Sequence, residues 1–171
     1  MTAQIPVFVS APTDLNHDQQ SSYDLILELL QYENFERRAL GRSDYPNEFP
    51  LKEIYHLARH CSGGIILGYR QMLAPKLLVK PGTPKEAKLT NVPLPTPWNQ
   101  LEAGILFSMG LPLMVFREEG ISGGVFDNGV TDVFIQRLPV GIVSPEDKDQ
   151  IKASMQFWAA KVREHYRKWP Y

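Results

Sequence analysis

Hydrophobic and polar positions alternate along this chain in two periods. Ile5-Pro6-Val7-Phe8-Val9-Ser10 is a short β-branched and aromatic run that ends at Ala11-Pro12-Thr13-Asp14, the pattern of a buried strand feeding a loop. From about Ser21 the period lengthens: Leu25, Ile26, Leu29 and Leu30 recur at helical spacing with Asp24 and Glu28 opposite, predicting a helix that ends near Tyr32. Phe35 to Leu40 reads as a second strand, although Glu36-Arg37-Arg38 equally suits a longer helix. Turn residues make Gly41–Asn47 a loop, and Pro50 opens a helix to His60 with Ile54, Leu57 and Ala58 as its apolar stripe. Ser62-Gly63-Gly64 stops it before the apolar strand Ile65–Tyr69.

Residues 71–97 break the rhythm. Six prolines and four lysines against one glutamate predict a proline-rich insertion with little regular structure, apart from a short piece around Leu77–Val79. A helix then opens at Pro97-Trp98 and turns at Gly110-Leu111-Pro112 into the strand Leu113–Phe116. Arg117 to Gly129 is a polar, glycine-rich connection anchored by Phe126, and Val133–Ile135 is a short apolar piece of either type. A long C-terminal helix spans 144–169: Ser144-Pro145-Glu146-Asp147 supplies a cap, a first-turn proline and two acids. Ile151, Met155, Trp158, Ala159, Val162 and Tyr166 trace its buried face. The alternation predicts one α/β domain over 1–171, a flavodoxin-like open parallel sheet of about five strands with helices on both faces.

Composition narrows the function classes. A length of 171 residues suits one core, and a net charge of -1 offers no basic face for nucleic acid. A single cysteine, Cys61, excludes an internal disulfide and fits a reducing compartment. With neither a signal-peptide pattern nor an apolar run of membrane-spanning length, a cytoplasmic protein without a membrane partner is expected.

Candidate chemistry centres on Glu102, the only ionisable residue between Leu101 and Met109. Ligands of open parallel sheets bind beyond the carboxyl ends of the strands, and this helix begins at that edge. Trp98 and Glu102, four apart, share a helix face, so an aromatic plane stands beside a carboxylate. Such a pair suits cleavage of an N-glycosidic bond, whose oxocarbenium-like state a carboxylate stabilises or traps. The competing reading is a partly exposed acid favoured by the helix dipole, and spacing alone leaves both open. Ser10, at a strand end without a glycine-flanked elbow, is placed to donate a hydrogen bond to a ligand rather than to attack. Tyr69, at the end of the third strand, and Asn99 join the substrate-binding candidates. His56 and His60 are four apart but lack accompanying ligands, and read as a surface pair; no metal is expected. Arg42 and Arg70 are candidates for meeting phosphates.

The strand Val7-Phe8-Val9-Ser10, the loop Gly41–Asn47, the strand Ile65–Tyr69, and above all Trp98-x-x-x-Glu102 opening a helix before Leu113–Phe116, resemble the Toll/interleukin-1 receptor (TIR) and TIR-like domains. The match spans about residues 5 to 140, and the proline-rich insertion and Asn99, where many members carry cysteine, depart from the pattern. The resemblance implies an NAD-cleaving enzyme that releases nicotinamide and leaves ADP-ribose or a cyclic product, with NAD as substrate and no cofactor. Glu102 would then be the catalytic carboxylate and Trp98 a cleft wall. Ser10, Ala11 and Asp14 would line the first loop, and Arg42 a loop used in self-association. It further implies a homo-oligomer acting in bacterial antiphage immunity, with a partner effector that responds to its product. A second resemblance, Glu102-Ala103-Gly104 with Gly110-Leu111-Pro112 and Val9-Ser10-Ala11-Pro12, is to the nucleoside 2-deoxyribosyltransferases, whose glutamate is a nucleophile at an anomeric carbon. A TIR module that associates and cleaves nothing is the non-enzymatic alternative.

Overall fold

The computed structural model describes residues 4–40, 49–133 and 135–168. Strand β1 (Ile5–Ser10) leads to helix α1 (His17–Tyr32), β2 (Phe35–Arg38), α2 (Pro50–Arg59) and β3 (Gly64–Gly68). After β4 (Met72–Val79) and β5 (Ala87–Leu94) come α3 (Pro97–Ser108), β6 (Leu113–Arg117), a 3-10 turn at Gly124–Phe126, β7 (Ile135–Arg137) and α4 (Pro145–Lys168). Five strands form one parallel sheet in the order β2-β1-β3-β6-β7. This is the flavodoxin-like architecture that the alternating periods predict.

Strand alternation divides the core. Val7, Val9, Ile65, Leu67 and Phe116 face α1 and α4, meeting Tyr23, Ile26, Met155 and Trp158. Phe8, Ile66, Leu113 and Val115 face α2 and α3, meeting Ile54, Ala58, Ala103 and Leu106. The paired glycines before β3 admit helices from both sides. A Cβ on Gly63 would lie 2.5 Å from Val162, and one on Gly64 would lie 2.7 Å from Leu106. Ser62-Gly63-Gly64 is therefore a packing site as well as a helix stop.

Two elements depart from the sequence reading, and a third settles a choice it left open. Helix α1 begins a turn before Ser21, because Asn16 accepts from the Gln19 backbone while the Gln19 side chain accepts from the Asn16 N–H. The apolar piece near 133–135 contributes a strand, β7, on the sheet edge. The insertion at 71–97 is regular: β4 and β5 pair antiparallel from Met72↔Leu94 to Val79↔Ala87. Proline forbids an interior strand, but in a two-stranded ribbon every strand is an edge, so Pro75 and Pro93 are accommodated.

Candidate active site

Helix α3 is held at the carboxyl edge of the sheet by its own sequence. Thr96 caps it by accepting from the Trp98 N–H, and Pro97 occupies the first helical position. Gln100 fixes its rotation: its side-chain N–H donates to the Gly123 carbonyl at 2.9 Å, and its Oε1 accepts from the Val125 N–H at 2.9 Å. That grip leaves Trp98, Asn99 and Glu102 facing a cleft of about 410 Å³. Its other walls come from Ala11 to Thr13 after β1, Leu40 after β2, Pro50 and Ile54 of α2, and Gln71 and Thr96 at the two roots of the β4–β5 ribbon. The loops thus converge where an open parallel sheet places its ligands.

Glu102 lines this cleft and is half-buried. Burial among apolar neighbours pushes its carboxyl up to about 7, and a hydrogen bond from the Ser10 hydroxyl only partly opposes that shift. Ser10 is 1% exposed, and its Oγ accepts from the Asn99 side-chain N–H at 2.8 Å. Asn99, Ser10 and Glu102 therefore form a directed chain in which the amide orients the hydroxyl and the hydroxyl orients the acid. The Asn99 Oδ1 is buried without a partner. Trp98 stands one turn before Glu102 on the same face and is 44% exposed, with its flat ring on the cleft wall.

Other candidates are placed differently. Tyr69 does not reach the cleft. It is fully buried on the α1 side of the sheet with its hydroxyl 2.9 Å from Ser22 Oγ, because strand alternation turns it away from α3. Ser10 lies beneath the cleft and serves Glu102 instead of meeting a ligand directly. Asp14 is exposed beyond the rim and accepts from the Thr13 hydroxyl. Arg42 lies outside the described residues. Arg70 stands by the ribbon root with its guanidinium 3.8 Å from Glu118. The exposed His56 and His60 gather no further ligands, and no group of three or more His, Cys, Asp and Glu among the described residues is arranged to hold a metal ion.

A buried acid escaped the sequence reading. Glu118, at the end of β6, accepts from the Gln19 side chain at 3.0 Å and from the Arg70 N–H at 2.9 Å. Gln19 also donates to the Arg70 carbonyl. The cluster ties the start of α1 to the ends of β3 and β6, and so fixes the backbone that enters the ribbon. In the sequence Glu118 looks like half of an exposed Glu118-Glu119 pair.

No protein-family model matches the chain, and no curated protein matches it. Solved structures do share its fold. The CMP N-glycosidase BcmB of Clostridium botulinum superposes with a TM-score of 0.51 at 14% identity, over 89% of this chain and 98% of that one. The metal-soaked flavodiiron core of Flv1 from Synechocystis sp. PCC6803 gives 0.56 at 14% identity. There the match covers 95% of this chain but 36% of the other, so the chain spans about a third of that protein. At this identity the likeness concerns architecture.

Proposed function

We propose that the protein cleaves the N-glycosidic bond of a nucleotide or nucleoside, with Glu102 as the carboxylate at the anomeric carbon. One observation carries the reading: an acid held at about 7 by burial, oriented by Ser10 and Asn99, opens into a cleft beside the exposed ring of Trp98. The overlap with a CMP N-glycosidase along nearly its whole length supports the same reaction class.

The chemistry follows from the charge. As the C1′–N bond breaks, its electron pair leaves with the base and positive charge grows on the sugar. The Glu102 carboxylate, poorly solvated and aimed by one hydroxyl, stabilises that charge or bonds to C1′ as a glycosyl ester. Water then forms the new C1′–O bond, breaking the Glu102–C1′ ester where one has formed. The proton it gives up goes to the departed base, with Glu102, able to take up a proton at neutral pH because of its raised pKa, as the carrier. Trp98 offers a plane on which the base stacks. The cleft lies at the small end of ligand-site volumes and so suits one nucleoside moiety.

Cleavage of NAD is the second reading, favoured by the Trp98–Glu102 spacing and by the same cleft. Nicotinamide departs neutral from a cationic ring, needs no proton donor, and would be stabilised before cleavage by a carboxylate beside it. The product would be ADP-ribose or a cyclic relative, in keeping with an immune signalling role. A panel of nucleoside monophosphates, deoxynucleosides and NAD, scored for free base or nicotinamide, separates the readings. Release lost by about 1,000-fold or more in Glu102→Gln is expected. No release from any member of the panel would overturn the enzyme and leave the non-catalytic TIR-like module.

A further inference from the structure

The β4–β5 ribbon leaves the body as an arm. Eight residues per strand give it a reach of about 27 Å. A two-stranded ribbon is barely stable in water by itself, so one this long is best explained by something that receives it. Its register sorts the side chains. Leu73, Pro75, Leu77 and Val79 share a face with Pro93, Leu89 and Ala87; Pro93 at its root closely approaches Gly120, while Leu73 and Leu89 are 53% and 44% exposed. The opposite face carries Lys76, Leu78 and Lys88, with Lys80 and Lys85 at the turn; Leu78 is 47% exposed.

Charge identifies the receiver. The arm holds four lysines against Glu86, a balance of +3, so with the whole chain at -1 the remainder carries -4. Part of that acidity lines a groove of about 450 Å³ between α1 and residues 141–143. Asp18, Asp24 and Glu28 line it against Lys148, around Leu25 and Ile142, which is 97% exposed. Neither the arm's lysines nor these three carboxylates enter an ion pair among the described residues. A leucine ringed by lysines and a groove that sets three carboxylates beside Leu25 and Ile142 are complementary surfaces carried by one chain.

We propose that the arm of one copy docks into the α1 groove of a second copy, and that the second arm returns the contact in a closed two-fold dimer. Both roots of the arm, Gln71 and Thr96, are walls of the Glu102 cleft, so a docked arm also braces the cleft.

Cys61 is buried, which makes introduced cysteines selective reporters. Leu78→Cys and Ile142→Cys proteins, mixed under mild oxidation, should form a mixed disulfide dimer that neither forms alone in comparable yield. Light scattering of the unmodified protein should show a dimer. Asp24→Lys/Glu28→Lys should weaken it at least tenfold, and mixing that variant with Lys76→Glu/Lys88→Glu should restore association. A monomer at all concentrations would overturn the proposal. So would Leu78→Cys linking only to itself, which means arm pairs with arm, or a monomeric protein whose arm binds anionic phosphatidylserine vesicles. None of these readouts depends on catalysis, so the proposal and the reading of Glu102 fail separately.

Discussion

Glu102, half-buried in the cleft wall, and Glu118, buried in the sheet edge's hydrogen-bond network, are carboxylates at the same edge of the same sheet, and their surroundings are opposite. Glu118 is satisfied: an amide, a backbone N–H and a nearby guanidinium face its two oxygens. Glu102 has the Ser10 hydroxyl and an apolar cleft, and burial holds it at about 7. A saturated acid is a fastening, whereas an undersupplied acid facing open space is available for chemistry. The more deeply buried of the two is the fastening, so the supply of donors, and not the depth of burial, separates their roles.

The comparison breaks most visibly at Glu118. Glu118→Ala leaves the Gln19 amide and the Arg70 N–H without their acceptor, and should destabilise the fold by about 2–3 kcal/mol. Thermal unfolding should show this as a loss of roughly 5–10 °C in Tm. An unchanged Tm would mean that the cluster holds nothing in place.

The second test sits at Glu102 and has the opposite sign. Its folded pKa of about 7 lies above its ordinary 4.5. Well below pH 4.5 both states are protonated and the folded state bears no penalty; as pH rises from 4.5 to about 7 the unfolded state ionises first and gains the advantage, which is complete above 7. Glu102→Gln should therefore be more stable than the parent at pH 8, by an amount on the order of 2 kcal/mol, and equal to it near pH 4. Denaturant melts at the two pH values decide this, and a variant less stable at pH 8 would contradict the assignment.

Smaller effects sharpen the picture. Ser10→Ala removes the one donor that favours the charged form, so the rising limb of kcat/KM against pH should move upward by roughly one unit. Asn99→Ala should produce part of the same shift, since it orients Ser10. Trp98→Ala should raise KM several-fold with little change in kcat, if the ring only stacks the base. A pH profile identical in the Ser10 variant would detach Ser10 from Glu102.

The sequence made the sheet readable because its strands are short, apolar and bounded by turn residues, as at Ile5–Ser10 and Ile65–Gly68. Glu102 stood out for a related reason: a lone acid in an apolar helix is conspicuous. Four features were hidden. The first turn of α1 is wholly polar, so hydrophobic period cannot see it, although Asn16-x-x-Gln19 marks it. The arm was masked by prolines that exclude an interior strand but not an edge. Tyr69 shows what a strand-end position leaves undecided: one step along β-structure reverses the face, and the face is set by tertiary packing. Glu118 was invisible because its partners, Gln19 and Arg70, are remote in sequence.

The most direct measurement is base release from one nucleotide substrate by the parent, Glu102→Gln and Glu118→Gln, assayed side by side at pH 8 under conditions where all three are folded. Release should disappear in the Glu102 variant and stay within about threefold of the parent in the Glu118 variant. Full release without Glu102, or loss only without Glu118, would contradict the assignment of these two acids.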